Sequence, residues 1–193
     1  MSVDGEEAGL TGSTYYTNHP LVPKDKVIAI LNLEQVGVGQ MLGANYHYKY
    51  PELAKLSQKA NAMYVHRRLF TNETHFLTRP RTDGAVFMKA GYPCIDLWAL
   101  GGGYYHHPKD NIRTINPDIL RAATEWLYWT TIFIANKRTN TRNPDERHSA
   151  GIPLFNRCHV CIVPYMCCVI VGSDIPCTSS LFPLWEYPMH SLV

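Results

Sequence analysis

The chain has 193 residues, 46% of them hydrophobic and 11% aromatic, with 18 Lys and Arg against 16 Asp and Glu for a net charge of +2. This composition excludes a mainly disordered chain and gives no basic patch for binding nucleic acid by bulk electrostatics, while the length suffices for one domain whose core needs no disulfide or metal staple. No stretch reaches the ~18–20 apolar residues that span a bilayer: the longest, Val160 to Gly172, contains Pro164, and Met1 to Glu7 lacks the basic and apolar regions of a secretion signal.

In chain order, Glu7 to Thr17 suits a helix closed by Pro20 and Pro23, with Gly5 and the acidic pair Glu6-Glu7 at its entry. Val27 to Leu33 is a continuous apolar run, the pattern of a strand buried on both faces, and it ends in Glu34. Pro51 to Val65 predicts a helix with Leu53, Leu56, Ala60, Met63 and Tyr64 on its core stripe. Thr82-Asp83-Gly84 opens a short helix through Lys89, and Pro93 to Leu100 reads as a second buried strand. The loop Gly101 to Asp110 carries His106 and His107. Pro117 then starts a helix to about Lys137 that buries Ile119, Ala122, Ala123, Trp126, Thr130 and Phe133. Strands alternating with helices argue for an α/β fold, a three-layer sandwich with a mostly parallel central sheet. In such sheets functional groups collect beyond the carboxyl ends of the strands.

Glu6, Glu7, Glu34 and His106 all fall at such ends. A carboxylate ending a buried strand loses solvation unless something positive meets it. Three acids with one imidazole make a hard, oxygen-rich site suited to zinc, manganese or cobalt. At a strand-to-helix turn, adjacent Glu side chains can diverge, one toward a metal and the other toward a water as general base. The plainer reading is a helix whose first turn takes acids to complement its dipole. For His106 and His107 it is a hydrogen-bonding loop.

Four segments carry a family resemblance. Gly5-Glu6-Glu7-Ala8-Gly9-Leu10-Thr11-Gly12-Ser13, Asn32-Leu33-Glu34-Gln35-Val36-Gly37, Arg81-Thr82-Asp83-Gly84 with Phe87 and Ala90-Gly91-Tyr92-Pro93, and Tyr105-His106-His107-Pro108-Lys109-Asp110 occur in that order. Together they resemble the co-catalytic zinc aminopeptidases of metallopeptidase family twenty-eight, the aminopeptidase S/Y-like group. The resemblance implies a zinc-exopeptidase-like sandwich in which Glu6 is general base toward the bridging water, Glu7 and His106 bind one zinc, and Glu34 binds the other where many relatives hold Asp. It implies a peptide substrate and an exported or extracellular setting, and it leaves aminopeptidase, carboxypeptidase and glutaminyl cyclase chemistry open. Gly84 departs from the pattern, standing where His or Ser is usual. The family also places a His-x-Asp strand end and a bridging Asp ahead of the Glu-Glu segment. This chain contains neither, so the expectation is the C-terminal part of a catalytic domain, three ligands of five.

After Arg142 the composition changes. Downstream of Arg147 only Arg157, Asp174 and Glu186 carry charge, five prolines recur, and Cys158, Cys161, Cys167, Cys168 and Cys177 crowd together. The expected division is therefore a catalytic part, 1–142, and an irregular Cys- and Pro-rich tail, 143–193, with no helical or strand period. Cys158-His159-Val160-Cys161 has the gap of a zinc half-site without a second half of matching spacing. Three readings follow: a two-metal exopeptidase, an inactive fragment or interaction module keeping its fold, and a zinc-binding tail acting alone. Oligomeric state leaves no trace in the sequence.

Overall fold

The computed structural model describes residues 3–74, 79–140, 158–161 and 168–173. Its strands are β1 (Val27–Glu34), β2 (Met41–His47), β3 (Leu69–Thr74), β4 (Cys94–Leu100), β5 (Cys158–Cys161) and β6 (Cys168–Ser173). Its helices are α1 (Thr11–Asn18), α2 (Pro51–Ala60), α3 (Asp83–Lys89) and α4 (Pro117–Asn140). All six strands join one sheet in the order β3-β2-β4-β1-β6-β5. Among the four strands between Val27 and Leu100, β1–β4 and β2–β3 pair parallel and β2–β4 antiparallel.

From Ala29 onward, alternation along β1 sends side chains to two cores, and a register shift between Val27 and Ala29 leaves Val27 with Ile30. Ala29 and Leu31 pack with Trp126, Ile119 and Leu53 beneath α2 and α4, while Val27 and Ile30 pack with Phe87, Met88 and Tyr16 beneath α3 and α1. Helices therefore cover both faces, the three-layer arrangement that the alternating elements imply. Trp126 is wholly buried in the larger core, where its truncation to Ala would cost about 3–5 kcal/mol. Local chemistry sets the helix starts. Pro51 occupies the first turn of α2; at α4, Asn116 accepts from the Asp118 N–H at 3.1 Å and donates to the Gly39 carbonyl at 2.8 Å, tying the helix entry to the loop after β1.

Four expectations need correction. First, α1 begins at Thr11 and has no acid in its first turn; Glu6 and Glu7 stand in the preceding turn, closed by the Leu10 N–H to Glu6 carbonyl bond of 2.9 Å. Second, Met63 and Tyr64 are 48% and 39% exposed. The chain widens into a π-helical turn over Asn61–Val65, which rotates residues after Ala60 off the stripe. Third, Phe133 is only half-buried, and Ile134 and Ala135 take the core positions. Fourth, the tail is not without strands: β6 pairs antiparallel with β1 from Val27↔Gly172 to Asn32↔Cys168, and β5 pairs with β6. Six largely apolar residues suffice for a strand once an open edge offers its N–H and C=O groups. The Cys158–Cys161 spacing thus falls on β5, whereas Cys167, Cys177 and the boundary near 142 lie outside the described residues.

Candidate active site

β1 and β4 run parallel, so their carboxyl ends bring Glu34 and the loop 101–110 to the same edge of the sheet. The turn before α1 reaches this edge as well, because α1 packs beside α3, which lies on β1 and β4. A close approach fixes that turn: a Cβ on Gly12 would stand 2.3 Å from the Asp4 carbonyl oxygen, and the Gly12 N–H bonds that same oxygen at 2.8 Å. Any larger residue would push the first turn of α1 away from the segment at Asp4 that leads into the turn holding Glu6.

The structure brings Glu7 and His106 together, with Glu7 Oε1 and His106 Nε2 2.7 Å apart and the two side chains 72% and 54% exposed. His106 has φ of 54°, and the Tyr105 ring stacks on its imidazole at 3.7 Å. The neighbouring histidine is occupied otherwise: His107 Nδ1 accepts from the Lys109 N–H at 3.1 Å and shapes the loop. Glu6 lies within reach of the charges of Glu7, His106 and Asp83. Partial burial raises its carboxyl pKa above the usual value, Glu7 and Asp83 add to the shift, and His106 opposes it.

Glu34 sits deeper. Burial, then the Asp96 charge, push its pKa up to about 7, against the opposing hydrogen bond from Asn32. Asn32 Nδ2 donates to Glu34 Oε1 and to Asp96 Oδ1, each at 2.8 Å. Asp96, 2% exposed, also accepts from the Thr82 hydroxyl at 2.6 Å, and burial raises its pKa to about 6 despite these two donors. Asp83 is equally buried. Desolvation raises its pKa against a hydrogen bond from Ser13, and its Oδ1 has no partner. Sequence reading passed over Asp96, Asn32 and Thr82 as site residues. The available signal for Asp96 was the one that marked Glu34, a lone carboxylate in an apolar strand.

A carboxylate oxygen facing an imidazole nitrogen, beside deeper acids that are shifted by burial and by one another's charge, has the donor chemistry of a zinc, manganese or cobalt site. Among the described residues, however, no three His, Cys, Asp or Glu side chains are gathered closely enough to hold an ion jointly. The donors fit a metal in two separate parts, Glu7 with His106 and Glu34 apart from them.

The profile of Peptidase family M28 matches residues 1–130, a span that includes every residue of this site and leaves out β5 and β6. The chain is 32% identical over 113 residues to a vacuolar membrane protease of Lodderomyces elongisporus, a stretch that covers 57% of this chain and 11% of that protein. Among solved structures it resembles a zinc aminopeptidase of Bacillus subtilis (TM-score 0.54, 22% identity, 66% of this chain and 33% of the other). It also resembles the LapA aminopeptidase of Legionella pneumophila (TM-score 0.55, 15% identity, 68% and 37%). At these identities the solved structures speak to the fold alone. The chain spans about a tenth of the curated relative and about a third of each solved chain. No helix among the described residues is long and apolar enough to cross a membrane.

Proposed function

Because the chain belongs to Peptidase family M28, we propose that it supplies part of the active site of a zinc-dependent exopeptidase, most closely an aminopeptidase, with Glu6 as general base. Glu7 and His106 hold one zinc and Glu34 the other, and residues 1–142 form the catalytic part of the chain. The observation that carries this reading is the meeting of Glu7 and His106 across ninety-nine positions of sequence, with Glu6 beside them. Bound zinc supplies acidification of a water and polarisation of the scissile carbonyl. Glu6 takes a proton from the attacking water and returns it to the departing amine; its raised pKa brings it closer to the working range of an acid–base catalyst near neutral pH. The acidic surroundings of Glu34 favour positive charge at that position.

With the His-x-Asp and bridging Asp of the family pattern missing from this chain, the two-metal arrangement needs ligands from elsewhere. Turnover by these 193 residues alone is expected to be poor even in excess zinc. Placement outside the cytosol belongs to the same proposal. A second reading, an inactive module that keeps the fold, has its support in the absence of a three-ligand cluster among the described residues. Zinc titration with a chromogenic aminoacyl substrate separates the two, run on this chain and on a form with the family's His-x-Asp and bridging-Asp segment fused ahead of residue 1. Activity confined to the fused form and lost in Glu6→Gln supports the peptidase reading. Inactivity of both forms with zinc bound supports the module, and Glu6-dependent turnover by the 193 residues alone shows that they suffice.

A further inference from the structure

Asp96 lies in the middle of β4, directly opposite Asn32 in the parallel register with β1. Both are buried, at 2% and 0% exposure. A buried carboxylate flanked by apolar strand residues is costly unless donors meet it, and here two do. The Thr82 hydroxyl donates to Oδ2 at 2.6 Å while its oxygen accepts the Ala85 N–H at 3.0 Å, so one side chain both caps α3 and anchors Asp96. The Asn32 amide nitrogen meets Oδ1 at 2.8 Å and, with its other hydrogen, Glu34 Oε1 at the same distance. An amide presents two hydrogens on nitrogen and none on oxygen; two carboxylates on one side of Asn32 therefore admit only one orientation of its side chain.

Gly84 completes the arrangement. A Cβ at that position would lie 2.6 Å from Asp96 Cγ and 2.7 Å from its Oδ1, inside any allowed contact. The departure from the family pattern at Gly84 and the presence of the Asp96 carboxyl are thus one feature: the acid occupies the space that a larger residue would fill.

We propose that Asp96 is a positioning residue for Glu34. It locks the Asn32 amide so that its second N–H holds Glu34 Oε1, which leaves Oε2 as the oxygen presented to a divalent cation. This role rests on the reading that Glu34 is a metal ligand. Without Asp96 the Asn32 amide loses one of the acceptors that set its orientation, and its hold on Glu34 Oε1 weakens. Partners of this kind, one shell removed from a ligand, typically change metal affinity by 10- to 100-fold.

The test is zinc affinity of the full 193-residue chain, measured by competition with a chromophoric chelator, with thermal melting to confirm that each variant is folded. Asp96→Ala and Asn32→Ala are each expected to weaken binding about 10- to 100-fold, and Gly84→Ala to do the same by displacing Asp96. Asp96→Asn keeps an acceptor oxygen toward Asn32 and should remain close to the unsubstituted chain, whereas Asp96→Leu, which fills the space without an acceptor, should weaken binding as the Ala variant does; equal affinity of the Asn and Leu variants would assign the effect to core packing alone. Glu34→Gln separates the two claims. If it leaves zinc affinity unchanged, the metal reading of Glu34 fails and the positioning role with it. If it weakens binding while folded Asp96→Ala and Asn32→Ala do not, the positioning role alone is overturned. Should the Ala variants fail to fold, the unsubstituted chain still decides: zinc should shift the Asn32 side-chain amide signals in a ¹⁵N correlation spectrum, and unmoved signals overturn the proposal.

Discussion

The two parts of the candidate metal centre are built in opposite ways. Glu7 and His106 come from a turn and a loop, are more than half exposed, and meet each other with the Tyr105 ring stacked on the imidazole. Glu34 ends a core strand and is held through Asn32 to Asp96, which is tied in turn to the cap of α3. The first part is cheap to form and adapts to an ion. The second already bears the desolvation of its acids before any ion arrives, and its raised pKa values express that cost. A cation therefore changes the second part more than the first.

The largest expected difference is in zinc binding against pH. Glu34 must lose its proton to act as a ligand, and its pKa stands at about 7. Below that value its contribution to zinc affinity should fall about tenfold per pH unit, roughly a hundredfold by pH 5. In Glu34→Gln this component of the slope should disappear. A slope identical in both proteins would mean that Glu34 is not where the proton is displaced.

Next in size is the support that β6 gives the buried part. β6 pairs with β1 as far as Asn32↔Cys168, so removing residues 143–193 opens the edge of the strand that carries Asn32 and Glu34. A destabilisation above about 2 kcal/mol, or at least roughly 4–8 °C in Tm, is expected for a chain of this size. An unchanged melt would show that the pairing contributes little and that the tail is dispensable, as its composition alone suggests.

Stability of the metal-free chain should respond to pH in the opposite sense from zinc affinity. A carboxyl raised from 4.5 to about 7 in the fold keeps its proton there after the unfolded chain has lost it. Between about pH 4.5 and 7 the native state thus binds more protons, and stability falls as pH rises, levelling off above 7. Asp96, raised from 3.8 to about 6, adds the same sign over its own range. Glu34→Gln should melt a few degrees higher than the unsubstituted chain at pH 8 and show a shallower decline; a variant that melts lower at pH 8 would contradict the assigned direction.

How much of this was legible in the sequence follows the same contrast. β1 and β4 declare themselves as continuous apolar runs because both faces are covered, and the motif residues at their ends fall at one sheet edge. β2 was missed because Gly43 and Asn45 break any apolar pattern: Gly43 is small since Trp98 lies across it, 2.9 Å from where a Cβ would be, a constraint set by a strand fifty-five residues away. β3 is a sheet-edge strand among the described residues and alternates only weakly. Of the proposed ligands, Glu34 stood out as an acid ending an apolar strand and His106 as an imidazole in the loop after another, while Glu7 stands in a turn rather than at a strand end; the bond network around Asp96 depends on register between β1 and β4, which no local pattern encodes.

The smallest expected effect concerns the exposed pair. Replacing His106 with Ala removes the 2.7 Å contact to Glu7, yet stability should change by less than about 1 kcal/mol, because an exposed pair gains little Coulomb energy over solvent and orders two side chains to do so. No shift is needed in Asp96 or Glu34, which are not bonded to His106. Metal binding should respond differently: His106→Ala takes away the imidazole that meets Glu7, so zinc affinity at that part should drop while the Glu34-dependent pH slope persists. Measured together, Tm and zinc titration of His106→Ala test whether the two parts are independent. A large loss of Tm, or loss of the Glu34 slope along with the His106 contribution, would show instead that loop 101–110 and the β1 terminus form one cooperative unit, and the contrast between an adaptable and a prebuilt part would fail.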